Sequence, residues 1–117
     1  RDYLEDLAPL RAAMLMAHAF NDWNVMPEHS VRIYAALKQK GVPCMAYFHQ
    51  GGHGGPPPLA LQNRWFTRFL CGIDNGVEKD PRSWIVREDA PGNTPTAYPD
   101  YPHPAAAPVV LHPHAGG

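Results

Sequence analysis

Ala12-Ala13-Met14-Leu15-Met16-Ala17-His18 and Pro43-Cys44-Met45-Ala46-Tyr47-Phe48-His49 are the two stretches that decide the fold. Each is a short continuous apolar run, without the polar alternation of a half-exposed strand, as expected of strands covered on both faces of a parallel sheet. The segment between them reads as a helix. Pro27 suits its first turn, Glu28 complements the positive end of the helix dipole, and Gly41 is a natural residue just past the last turn. Val31, Tyr34, Ala35 and Leu37 mark its apolar face. After the second run, the glycine-rich loop Gln50 to Gly55 leads through Pro56, Pro57 and Pro58 into another amphipathic element. There Leu61, Trp65, Phe66, Phe69 and Leu70 follow helical spacing up to Cys71-Gly72.

Strand, loop, helix, strand, loop, helix is the pattern of an α/β protein with a parallel sheet. Two strands do not make such a sheet alone, and the chain opens at Arg1-Asp2-Tyr3 without a methionine, so a fragment with further strands upstream is expected. Prolines divide the rest. Of the 14, eight lie after residue 80, so residues 1–76 are expected to be compact and residues 77–117 to be a Pro-rich linker entering a β domain. Ser83 to Glu88 and Pro108 to His112 are the candidate opening strands of that domain.

Composition excludes several classes. At 117 residues there is room for one modest core, and 44% apolar residues argue against wholesale disorder. A net charge of -1 leaves no footprint for nucleic acid or an anionic membrane, and no apolar run approaches the ~20 residues of a membrane helix. Two cysteines make no disulfide framework; Cys44 and Cys71 are both expected to be buried small hydrophobes. The compartment stays open. Among the histidines, His49 and His53 do not share a face as they would on a helix, and His112 and His114 have no third ligand nearby. Neither a metal nor another cofactor is expected.

In open parallel sheets, functional groups sit on the loops beyond the carboxyl ends of the strands. Asp22 lies four residues past His18, and His53 four past His49, so both are expected at one edge of the sheet. A carboxylate beside an imidazole holds its tautomer and stabilises the imidazolium formed when a nucleophile loses its proton. Acid before base, with serine earlier still, is the chain order of α/β-hydrolases. A loop aspartate also serves turns, and a histidine among glycines is also simply solvated; spacing alone leaves these readings open.

His18-Ala19-Phe20-Asn21-Asp22-Trp23-Asn24-Val25 resembles the His-Gly-Leu-Asn-Asp-Trp-Asn-Val stretch of Xaa-Pro dipeptidyl-peptidases, serine hydrolases related to the cocaine-esterase-type acyl hydrolases. Gln50-Gly51-Gly52-His53 is similar to that family's Gln-x-x-His loop, and Gly72-Ile73-Asp74-Asn75-Gly76 to the segment closing its catalytic domain. Ala19 replaces the family's glycine, and Gly54-Gly55-Pro56-Pro57-Pro58 departs from its pattern. The resemblance implies that Asp22 is the triad acid and His53 the base in the C-terminal strand-helix-strand-helix portion of an α/β-hydrolase sheet, followed by a jelly-roll-like β domain. It further implies that Asn24 and Val25 line the substrate pocket, Asn24 as a donor to a substrate carbonyl. Equally, Asn24 satisfies its own loop and Val25 packs beneath it; Trp23 is expected in the core.

The resulting expectation is a fragment of a serine peptidase that releases Xaa-Pro dipeptides from peptide N-termini, inactive alone because the nucleophile is missing. An esterase or amidase of the same superfamily is the nearest alternative, and a non-catalytic His- and Pro-rich binding module is the alternative of another class. The expected partner is a proline-containing peptide, with a homodimer of the full-length protein as a second.

Overall fold

The computed structural model describes residues 10–112. Four strands form one mixed sheet in the order β1-β2-β3-β4: β1 Met14–Ala19, β2 Cys44–His49, β3 Ser83–Val86 and β4 Pro95–Tyr98. β1 and β2 run parallel, with Met14 opposite Cys44 and Ala19 opposite His49. β3 adds parallel to β2 through Ala46, Tyr47 and Phe48, and β4 turns back antiparallel. Helix α1 spans Pro27–Gln39 and helix α2 Leu59–Phe69; single 3-10 turns occupy Val77–Lys79 and Pro91–Asn93.

The period-2 alternation of β2 explains the layers. Cys44, Ala46 and Phe48 join Tyr34, Leu37 and Val42 in one core under α1, while Met45 joins Leu61, Trp65 and Val77 in a second core with α2. The two helices therefore cover opposite faces of the same strand, and β2 is buried on both, as its unbroken apolar run requires. Fully burying a side chain such as Phe48 contributes about 1.5–3 kcal/mol. β1 is only partly covered, and its outer edge has no strand against it among the described residues.

Pro27 opens α1, Glu28 lies in its first turn, and Gly41 takes φ +68° just beyond Lys40, so the start and stop signals act as expected. Within that helix Ala35 is exposed, and Tyr34 and Leu37 carry the buried stripe. On α2 the buried line is Leu61, Trp65 and partly Phe69, one turn apart each. Phe66 and Leu70 lie one step around the helix from that line and are exposed, and Cys71 is exposed in the turn that follows the helix. The expected burial of Cys71 is thus corrected, because the helix ends before it and the turn leaves it in solvent, whereas Cys44 is buried in the first core. Among the described residues no helix is long and apolar enough to cross a membrane.

The larger difference from expectation lies after residue 76. Ser83–Val86 is a strand, but its backbone pairs with β2, so the sheet continues through the segment assigned to a linker and separate domain. Such pairing is long-range and leaves no local signature beyond β propensity. The Pro-rich stretch is anchored by Asp100, which accepts from Tyr34 Oη at 2.9 Å and meets Lys38 Nζ at 2.7 Å, and by Tyr101 packed 4.9 Å from the Phe48 ring centre. The second expected patch, Pro108 to His112, forms no strand, and His114 lies outside the described residues.

Candidate active site

Both strand-to-helix loops leave the same edge of the sheet, and they are stitched together there. The backbone N–H of Phe20 donates to His49 O at 2.8 Å, extending the β1–β2 ladder by one residue. Asn21 Nδ2 donates to Gln50 O at 2.8 Å, and Gln50 Nε2 in turn donates to Val86 O at 3.2 Å on β3. Asn21 and Gln50 therefore brace the two loops against each other and against the sheet. Sequence alone assigns this role to neither, because their partners are backbone groups on other elements.

Within this frame Asp22 Oδ2 lies 3.0 Å from His53 Nδ1. The other carboxylate oxygen, Oδ1, accepts the backbone N–H groups of Asn24 at 2.9 Å and Val25 at 3.0 Å. Aspartate often closes a loop in this way, since its short carboxylate reaches the amides two and three residues on. Asp22 is buried, and the Val25 amide, against a desolvation that acts in the opposite sense, with help from His53 and the Asn24 amide, holds its carboxyl down at about 2. It is an anion throughout the neutral range.

A carboxylate only accepts, so His53 presents Nδ1–H to Asp22, and in the neutral ring Nε2 is then the lone-pair nitrogen that can take a proton. The His53 side chain is 58% exposed while that of Asp22 is 5% exposed. One member of the pair is thus fixed and dry, the other open to whatever approaches. His53 and Asp22 border an open cleft with His18, Val25, Gly55 and Pro56.

The His53 loop has its own support. His49 Nδ1 accepts the Gly51 N–H at 3.1 Å, and its ring fills the space beneath Gly51 and Gly55. Gly55 takes φ +106°, a backbone conformation open to glycine and strained for other residues. The unusual Gly-Gly-Pro-Pro-Pro run then delivers α2, with Gln62 Nε2 donating back to Pro57 O at 2.7 Å and so tying the first turn to the loop before it.

Of the four residues singled out, Asp22 and His53 come together directly. Asn24 and Val25 reach Asp22 through their backbone amides, with their side chains exposed, so Val25 does not pack beneath the loop. Trp23, expected in the core, is 89% exposed: the turn that directs Asp22 inward sends its neighbour outward. Among the described residues no group of three or more His, Cys, Asp or Glu is arranged to hold a metal ion. The sequence contains only Ser30 and Ser83 as serines, neither in a Gly-x-Ser-x-Gly setting.

Residues 1–55 match the family model described as X-Pro dipeptidyl-peptidase (S15 family). The chain is 61% identical over 116 residues to the "Putative Xaa-Pro dipeptidyl-peptidase" of Rhodopirellula baltica, covering 99% of this chain and 18% of that protein. It is 30% identical over 116 residues to the Xaa-Pro dipeptidyl-peptidase of Lacticaseibacillus rhamnosus, covering 94% of this chain and 15% of the relative. The chain thus spans less than a fifth of the length of these curated relatives.

Proposed function

We propose that this chain, a segment of a protein of the X-Pro dipeptidyl-peptidase (S15) family, contributes the acid Asp22 and the base His53 of a Ser–Asp–His triad to a peptidase that releases Xaa-Pro dipeptides. The observation that carries this reading is the 3.0 Å contact between a buried, backbone-held carboxylate and Nδ1 of an exposed imidazole. A serine from outside these residues attacks the carbonyl carbon after proline, and His53 Nε2 takes its proton. Asp22 stabilises the imidazolium. The proton then passes to the leaving amine as the peptide C–N bond breaks, and a water hydrolyses the acyl-enzyme by the same route.

In this reading Asn24 and Val25 border the substrate, supported by their exposed side chains beside the acid. The catalytic unit includes residues 1–76, and the chain beyond runs toward a β domain after lending β3 and β4 to the sheet. The full-length protein, given Ala-Pro-anilide and simple esters side by side, tests the proposal. Preference for the proline anilide supports it; faster ester turnover with no preference for proline assigns the site to an esterase instead. The isolated chain hydrolyses neither.

A further inference from the structure

Asp22 is touched by a second imidazole that the mechanism does not use. His18, the last residue but one of β1, is 9% exposed in its side chain and stands with Nε2 3.0 Å from Val25 O and 3.4 Å from Asp22 Oδ2. Its Nδ1 lies 2.6 Å from Ser30 Oγ in the first turns of α1. The partners fix the proton. A carbonyl only accepts, so Nε2 carries the hydrogen and directs it to Val25 O and, more distantly, to Asp22. In the neutral ring Nδ1 is then an acceptor, and the Ser30 hydroxyl donates to it.

Val25 is held from both sides: its C=O by His18 and its N–H by Asp22 Oδ1. The acid loop is therefore closed through a single ring that also ties it to β1 and α1. The Asp22 carboxylate sits between the two imidazoles with Oδ2 facing both.

We propose that His18 is a positioning residue for the acid: clamped by Ser30, it holds Val25 and Asp22 so that Oδ2 stays aimed at His53 Nδ1. This rests on the triad reading above and adds a role for a residue otherwise seen only as the end of a strand. The ring does not touch the reacting atoms. Its effect passes through Asp22.

The test uses the full-length protein and Ala-Pro-anilide, with kcat, KM and thermal midpoint measured for His18→Phe, His18→Gln, Ser30→Ala and Asp22→Asn, and for His18→Phe and Ser30→Ala each combined with Asp22→Asn. Misaiming a catalytic group by an ångström costs on the order of 10²-fold. His18→Phe is expected to lower kcat by about that factor with KM within about twofold. His18→Gln places an amide nitrogen the same number of bonds from Cβ as Nε2, and is expected to recover most of the loss. In the Asp22→Asn background His18→Phe should cost nothing further, because the residue it aims is already gone; a general packing role would cost the same in both backgrounds. If His18→Phe fails to fold, Ser30→Ala, which frees only the far side of the ring, is expected to give a several-fold kcat loss that likewise vanishes in the Asp22→Asn background. Near-normal kcat in folded His18→Phe, or a loss undiminished in the Asp22→Asn background, overturns the proposal. Near-normal kcat in Asp22→Asn itself overturns the triad reading instead.

Discussion

The His49 ring occupies the space that a side chain at Gly55 would need. A Cβ there would lie 2.6 Å from His49 Cε1 and 2.7 Å from Nε2, closer than real contacts allow, and Gly55 also takes φ +106°. The loop that presents His53 is thus moulded on a histidine at the end of β2, with Gly51 bonded to the same ring. Gly52, between them, would meet nothing within 4 Å and has no positive φ.

Gly55→Ala is therefore expected to cost about 1–3 kcal/mol from backbone strain, with a steric cost against His49 besides, and to displace His53 with loss of turnover. Gly52→Ala should leave both stability and kcat near those of the parent. Thermal melts and steady-state kinetics on the two variants of the full-length protein check this. Equal effects at the two glycines would mean that the His49 packing does not shape the loop.

A second prediction concerns acid. The folded carboxyl of Asp22 is lowered to about 2, against an ordinary value near 3.8 for the unfolded chain. A depressed carboxyl stabilises the fold fully above its unfolded value, and that contribution is lost as pH falls from about 4 toward about 2. The difference in thermal midpoint between the parent and Asp22→Asn should therefore be constant from pH 7 to pH 5 and shrink below pH 4. A difference independent of pH throughout would place the anion's partners elsewhere.

How far the sequence reveals this site depends on whether a feature is local. β1, β2 and the positions of Asp22 and His53 are legible because apolar runs and loop offsets are properties of neighbouring residues. Even the offset is nearly right: His49 pairs with Ala19 rather than His18, a one-residue stagger that the loops absorb. What escapes is set by distant partners. β3 depends on backbone pairing with Ala46 to Phe48, the ring of His18 on Ser30 and Val25, and the exposure of Trp23 on which way one turn faces. Cys71 departs from expectation because it lies in the turn beyond α2, outside the helix's buried line.

The Pro-rich stretch supplies a third prediction. Tyr34 is almost wholly buried, and its hydroxyl donates to Asp100 Oδ1; burial, reinforced by that carboxylate, pushes the phenol well above its ordinary range. Tyr34→Phe should cost about 0.5–1.5 kcal/mol, the net worth of one hydrogen bond. Asp100→Ala should cost more, about 1–3 kcal/mol, since it leaves a buried hydroxyl with only its longer 3.4 Å contact to Arg82 O and releases Lys38 as well. Denaturant unfolding of both variants provides the comparison; an Asp100→Ala protein as stable as the parent would show that residues 99–101 are not anchored to α1.

Asp22 as the orienting anion of His53 is tested most directly by kcat of Asp22→Asn in the full-length protein, with the fold verified by its melt. Loss of the anion removes both the correct tautomer and the stabilisation of the imidazolium, so kcat should fall by about 10³–10⁴. His53→Ala should be at least as damaging, and the double variant little worse than either single one, since the two act as a unit. Glu28→Gln serves as the control: it lies in the first turn of α1, where a carboxylate contributes about 0.3–1 kcal/mol through the helix dipole, and it should leave turnover unchanged. A well-folded Asp22→Asn enzyme turning over at close to the parental rate would contradict the triad assignment outright.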